Sequence, residues 1–314
     1  MKTQKFGIEI EMTGITREQG AKIAAKFFGT NNYSNTAFTD GYKTWSAFDA
    51  SGRKWKFSRD VSIHEARKVN GNIRHISNDD YKTEMVSPIL TYEDMPLLQE
   101  LVRQLRHAGA LSGPEYGCGV HVHIDAAPHT PNTLRNIVNI IASKEDLVYK
   151  ALEIAPSRVN SYCRKTNERM LKEINKRKPK TIHEFEQIWY NGHIDHSHYN
   201  NTRYHGLNLH ATFTKGTVEF RLFNGTMHAG KIRTYITFCL AVSHQALTQK
   251  RASCKKFNTD NEKYTFRCWL LRLGLIGDEY KNCREHLMKA LSGNSAWRHG
   301  APTNTATLAN EQIA

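Results

Sequence analysis

The 314-residue sequence lacks any apolar run long enough to cross a bilayer. Its opening stretch, MKTQKFGIEIE, has charges where a secretion signal needs an apolar core. Both absences lead to the expectation of a cytoplasmic protein that does not enter membranes. Cysteine is sparse. Cys118, Cys163, Cys239, Cys254, Cys268 and Cys283 are scattered with no CxxC pair, which predicts free thiols rather than a disulfide framework. Internal repeats and low-complexity linkers are missing, so solenoid and tethered architectures are set aside. Negative charge is in deficit: 44 Lys and Arg against 30 Asp and Glu give a formal net charge of +14. That balance favours anionic partners, whether nucleotide phosphates, a carboxylate substrate or nucleic acid, without choosing among them.

What is present is enough for a packed core, with 39% hydrophobic residues and a length suited to one large domain or two modest ones. KFGIEIEMTG reads as a strand, and TREQGAKIAAKFFG as a helix with Thr16 as N-cap and Gly29 to close it. KTWSAFDASGRKWKFSRDVSI reads as a hairpin turning at SG, and YKTEMVSPIL as a strand that Pro88 brings to an end. YEDMPLLQELVRQLRHAG is helical, with Leu97, Leu98, Leu101, Val102 and Leu105 on one face. CGVHVHIDA returns to strand, and a long helix begins near Pro131. Residues 156–204 are polar and basic, which predicts a partly helical insertion or flap. HGLNLHATFTKGTVEFRLFNG reads as a hairpin turning at TKG. KIRTYITFCLAVSHQAL reads as an amphipathic helix through Ile232, Tyr235, Ile236, Cys239, Val242 and Ala246, and two more helices fit residues 261–273 and 278–291. The expected division is a catalytic domain over 1–250, a helical extension over 251–292 and a disordered polar tail over 293–314. Hairpins without βαβ alternation predict an α+β fold: a largely antiparallel sheet with helices on one face.

Period-two alternation then gives several strands one design. Glu9 and Glu11 share a face opposite Ile8, Ile10 and Met12; His121, His123 and Asp125 oppose Val120, Val122 and Ile124. Glu219 and Arg221 oppose Val218, Phe220 and Leu222, and Asn208 and His210 oppose Leu207, Leu209 and Ala211. A solvated sheet face accounts for any one strand. Four strands carrying carboxylate, imidazole, guanidinium and amide groups in phase point instead to a site. Two carboxylates side by side repel, and a divalent cation between them resolves the repulsion. Glu84 and Asp60 offer further carboxylates. Oxygen-rich ligands suit Mg²⁺ or Mn²⁺, whereas a tetrahedral zinc on His121 and His123 is the competing reading.

FGIEIEM, WKFSRDVSI, EMVSPIL, GCGVHVHID and TVEFRLFNGT, in this order over residues 5–247, resemble the amidoligase family. That family belongs to the carboxylate–amine ligase superfamily of glutamine synthetase and gamma-glutamylcysteine ligase. The resemblance implies a curved antiparallel sheet whose polar concave face binds ATP and divalent cations. It implies metal ligation by Glu9, Glu11, Asp60, Glu84 and Glu219, a metal- or phosphate-contacting role for His121 and His123, and a phosphoryl contact for Arg221. The implied reaction is ATP-dependent amide formation through an acyl phosphate, joining a carboxylate to an amine of an amino acid, peptide or cell-wall component. Lys56, Arg59, Arg164, Arg203 and Asn208 are candidate contacts to ATP or an acidic substrate, Arg203 foremost among the arginines. His121, His123 and Asp125 are all candidates for the general base. Two other classes stay open: a metal-dependent hydrolase on the HxH strand, and a nucleic-acid binder using RKTNERMLKEINKRKPK. That basic run and the His193, His196 and His198 loop read more simply as solvated surface, and Cys118 as a buried structural thiol.

Overall fold

The computed structural model describes residues 1–35 and 41–298. Its strands, in chain order, are β1 (Phe6–Met12), β2 (Tyr33–Asn35), β3 (Trp45–Phe48), β4 (Lys54–Ser58), β5 (Ala66–Val69), β6 (Asn72–His75), β7 (Thr83–Val86), β8 (Gly119–Asp125), β9 (Leu207–Asn208) and β10 (Thr217–Asn224). Eight of them form one sheet in the order β2-β3-β4-β7-β1-β8-β10-β9, and β5 and β6 form a separate hairpin. Every pairing is antiparallel. With the helices, this makes a mixed α+β fold. β2, β5 and β6 had escaped notice because short, exposed strands carry little hydrophobic alternation.

The helices are α1 (Arg17–Phe27), α2 (Met95–His107), α3 (Pro131–Ala151), α4 (Pro156–Ser161), α5 (Glu168–Arg177), α6 (Ile182–Trp189), α7 (His210–Lys215), α8 (Ala229–Thr248), α9 (Glu262–Arg272) and α10 (Lys281–Met288). Local chemistry sets their starts. Thr16 caps α1 in a capping box with Gln19, and Thr130 caps α3 in a box with Thr133 just ahead of Pro131. Ile8, Ile10, Met85, Val120, Val122 and Phe220 are fully buried in a core shared with Leu98, Leu101, Ile137, Ile236 and Leu240 of the helices. Phe266, Trp269, Leu270 and Leu287 of the last two helices belong to that same core. No described helix is long and apolar enough to cross a membrane.

Three expectations change. The HGLNLHATF strand ends after Asn208, whose side-chain oxygen accepts the His210 N–H at 2.9 Å and turns the chain into α7. His210 is therefore the first residue of a helical turn and is not in strand phase with Asn208. Gly216, at φ +70°, closes that turn where TKG had been read as a hairpin loop. The α8 helix is not amphipathic along its middle: every residue from Thr234 to Ser243 is buried, because the sheet, α3 and α10 surround it. Within residues 156–204, Cys163, Ile174, Phe185, Ile188 and Trp189 anchor three helices to the main core. The tail over 299–314 lies outside the described residues.

One buried histidine makes stability depend on pH. His129 lies between Thr133 Oγ1 (3.2 Å) and Ser243 Oγ (3.0 Å). Burial lowers its pKa to about 4, against a smaller opposing pull from Asp125. Its folded value is below its unfolded one, so the unfolded chain binds the extra proton. Stability is intact above about pH 6.5 and falls as pH drops towards 4, by about 3 kcal/mol at most. Chemical denaturation of wild type and His129→Gln across this range should give a difference in stability that changes with pH. Parallel curves would remove His129 as the cause.

Candidate active site

Antiparallel register turns separate sequence motifs into one patch. β1 sets Glu9 opposite His121 on β8, and Glu11 opposite Glu84 on β7. β10 sets Glu219 opposite His123 on one side and Asn208 on the other. Ser58 of β4 faces Glu84, which brings Asp60, two residues on, beside it. Directly opposed residues share a face. A bulge then interrupts β10 between Phe220 and Phe223. Phe223, and not Leu222, returns to the helix side in register with Val120, where it stacks on Tyr235 of α8 at 4.2 Å. Strict alternation had assigned that role to Leu222, but the extra residue shifts the phase.

His121 Nδ1 lies 3.0 Å from Glu9 and its Nε2 3.6 Å from Glu11. His123 Nε2 lies 3.3 Å from Glu9 and 3.9 Å from Glu219. Arg221 donates to Glu219 Oε1 at 2.6 Å, and Asn208 donates to the other oxygen at 2.7 Å. The Gly119 N–H donates to Glu11 at 2.6 Å, and Ser62 donates to Asp60 through its amide and hydroxyl. Three donor sets each bring their ligand atoms within 4.8 Å of one another: Glu9, His123 and Glu219; Glu9, Glu84 and His121; Glu11, Asp60 and Glu84. Consecutive sets share Glu9 and then Glu84, so the three form one continuous row. All seven donors had been singled out from the sequence.

The electrostatics differ along the row. Burial pushes Glu9 up, but the charge of His123 and the hydrogen bond with His121 outweigh it and hold the carboxyl well below its usual range. Burial also opposes ionisation of Glu219, yet Arg221, His123 and His121 bring it to about 2. At the other end, burial raises Glu84 far above the usual carboxylate range, and Glu9, Asp60 and Glu11 raise it further. Glu11 is raised by burial as well. The Glu84 end therefore gathers more carboxyls than its cations answer, and without a metal these carboxyls tend to keep their protons.

The donor set fits divalent cations. Buried His123 Nε2 makes no hydrogen bond despite its carboxylate neighbours, while its Nδ1 is held by Thr217 Oγ1 at 3.0 Å. A ring fixed through one nitrogen with the other unpartnered is the arrangement of a ligating histidine with a supporting outer contact. Five carboxylates against two imidazoles favour a hard cation. Replacing Glu84 by Gln copies the protonated carboxyl of the cation-free protein and removes the cost of taking up that proton on folding. It should raise stability by about 1 kcal/mol in EDTA, and weaken Mn²⁺ binding about tenfold or more. Melting curves and Mn²⁺ titration on the same variant check both halves. A loss of stability in EDTA would mean Glu84 is not held in a repulsive cluster.

The family model described as "Putative amidoligase enzyme" matches residues 2–243, which is most of the chain. The chain belongs to the amidoligase family. No curated protein matches it. For this amidoligase the family implies an amide-forming ligase with carboxylate and amine substrates. The remaining candidates are placed less centrally. Lys56 is exposed on β4, two strands from Glu9. Arg59 pairs with Asp79 at 2.5 Å, and Arg164 donates to backbone oxygens of Asn201 and Tyr204. Arg203 donates to His198 O at 2.6 Å with its guanidinium near the Tyr199 and Tyr204 rings.

Three residues beside the row had gone unremarked. Lys215, in the supposed hairpin turn, reaches within 3.8 Å of Glu9. Thr217 orients His123. Buried Arg158, from the supposed flap, donates to Arg221 O at 3.1 Å and occupies the space beside Gly119, where an added Cβ would lie 2.3 Å from its Nη2. A glycine opening the HVH strand was the available signal, since glycine in a strand often marks a close approach.

Proposed function

We propose that this chain is an ATP-dependent carboxylate–amine ligase that forms an amide through an acyl phosphate, with the motif-bearing sheet face as its concave, polar active site. The observation that carries the reading is the continuous row of seven donors with Arg221 at one end. Glu9, Glu11, Asp60, Glu84 and Glu219, with His121 and His123, would hold Mg²⁺ or Mn²⁺. Bound cations would supply charge neutralisation across the ATP phosphates. Arg221, aligned by Glu219, offers a planar permanent cation to the phosphoryl group in transit. Asn208 and Gly119 keep the Glu219 and Glu11 carboxylates oriented. Lys215, half exposed beside Glu9, draws anionic substrate towards the row. The proton lost by the attacking amine goes to Asp125, or to whichever of His121 and His123 does not hold a cation. Lys56, Arg59 and Arg203 are proposed to steer ATP or the acid at the periphery.

An acyl phosphate survives only where water is kept out. The exposed loop at residues 191–199 is the proposed cover. His198 within it is lowered first by its own burial and then by Arg203 and Lys215, and it also senses Glu9 and Arg221, so the loop lies beside the row. Limited proteolysis should slow at this loop when ATP and Mg²⁺ are added. Equal cleavage with and without them would count against a ligand-gated cover.

The direct test is ADP release by the full chain with Mg²⁺, ATP and panels of carboxylic acids and amines. ADP release that depends on both an acid and an amine supports the ligase. Bound zinc with ATP-independent hydrolysis would replace it with the hydrolase reading. Steeply salt-dependent nucleic-acid binding without turnover would replace it with the binding-protein reading.

A further inference from the structure

One buried guanidinium beside the row has no counter-ion. Arg158 of α4 is 3% exposed, its Nε makes no hydrogen bond, and no carboxylate among the described residues ion-pairs with it. A buried charge without a paired anion is destabilising. Anchoring α4 does not call for that charge, because Asn224 of β10 already ties down the chain just ahead of the helix. The Asn224 side-chain oxygen accepts the Ala155 N–H at 3.0 Å, and its amide donates to Glu153 O at 2.8 Å.

The Arg158 guanidinium meets the sheet at two places. It lies against Gly119, where an added Cβ would be 2.3 Å from Nη2, 2.4 Å from Nη1 and 2.5 Å from Cζ. Gly119 alternates in phase with His121 and His123, so this contact is on the site face of β8. Nη2 also donates to Arg221 O at 3.1 Å, within the bulge of β10. There Phe220 pairs with Val122 and Phe223 with Val120, so Arg221 and Leu222 share the place opposite His121. The extra residue breaks the ladder. The Arg221 N–H still donates to Gly206 O at 2.8 Å, but the Gly206 N–H turns to Arg164 O at 2.9 Å, so Gly206 gives the Arg221 carbonyl no donor in return. Arg158 supplies one. A bulge beside a functional site re-aims a side chain. The side chain at this bulge is the Arg221 guanidinium, whose Nε is unpartnered.

We propose that Arg158 is a positioning residue: it locks the β10 bulge through the Arg221 carbonyl and so aims the Arg221 guanidinium at the phosphoryl group in transit. Its charge makes it a stronger donor to that carbonyl than a neutral side chain, and its contact with Gly119 fixes the direction of the donor. The effect on turnover rests on the ligase reading, whereas the hold on Arg221 is a property of the chain that can be read without it.

Two measurements on Arg158→Met test the proposal. In proton–nitrogen NMR of the isotope-labelled full chain, the Arg221 Nε–H signal is identified by its loss in Arg221→Lys. Its order parameter should fall from the rigid range, about 0.85, to below about 0.6 in Arg158→Met. Turnover in the ADP-release assay should fall on the order of 10²-fold while the KM for ATP changes far less, because a misaimed transition-state contact costs rate more than binding. Arg158→Lys keeps a charged donor and should recover most of that loss. Gly119→Ala pushes the guanidinium off the strand and should loosen Arg221 in the same way, which keeps the proposal testable if Arg158→Met does not fold; melting curves verify both. An Arg221 order parameter unchanged in the folded variants overturns the proposal, as does a KM that rises in step with the loss of turnover. A wild type that releases no ADP defeats the ligase reading instead, and the order parameter alone then decides the hold on Arg221.

Discussion

Arg221→Lys is expected to lower turnover on the order of 10²–10³-fold while ATP affinity changes far less. Arg221 is buried and donates to Glu219 at 2.6 Å, and its Nε has no hydrogen-bond partner. Burial works against its charge, but the carboxylate of Glu219, helped by Glu9 and Glu11, keeps the guanidinium protonated. Lysine preserves that charge and can still meet Glu219. It loses the planar fork that holds two oxygens at fixed geometry, including the Nε donor. A transferring phosphoryl group develops its charge only in transit, so the missing contact, worth about 3–4 kcal/mol, shows mainly in turnover. Measuring ADP release and ATP affinity on one preparation separates the two effects. Near-wild-type turnover would take Arg221 out of the mechanism and leave it as a structural partner of Glu219.

Glu9→Gln is expected to be more damaging still. Glu9 belongs to two of the three donor sets, so one substitution weakens both. It also removes the carboxylate 3.0 Å from His121 and 3.3 Å from His123, leaving two buried imidazoles without their shared anion. Burial lowers the pKa of His123, and Glu9 is the first of the charges that raise it again. Without Glu9, His123 should titrate lower. Turnover should fall on the order of 10³-fold or more, since cation-derived stabilisation is worth several kcal/mol, and the Mn²⁺ bound per chain should drop. Unchanged Mn²⁺ content together with near-normal turnover would dissolve the shared-ligand arrangement.

Much of the site was legible before any tertiary structure because strand side chains alternate by covalent geometry. Glu9 with Glu11, His121 with His123, and Glu219 with Arg221 had to pair in phase whatever the strands did afterwards. Apolar residues between them fixed which face met the helices. The caps of α1 and α3, and the hairpin of β3 and β4, were equally local matters of hydrogen bonding and turn chemistry. Where sequence reasoning slipped, a local contact had broken the period. The bulge in β10 moved Phe223 to the helix side, and the Asn208 side chain ended β9 and began α7.

By itself, then, the sequence determined the antiparallel α+β class, the resemblance to amidoligases and all seven donors of the row. Only the tertiary structure decided which donors meet: Glu219 beside His123, Glu11 beside Glu84, and Glu9 and Glu84 as the shared members. Register depends on pairing between segments far apart in the chain, and no residue carries that information alone. The same holds for Arg158, which reaches Gly119 and Arg221 from a helix outside the sheet. It holds too for α8, whose polar positions are buried because neighbours close over it on every side.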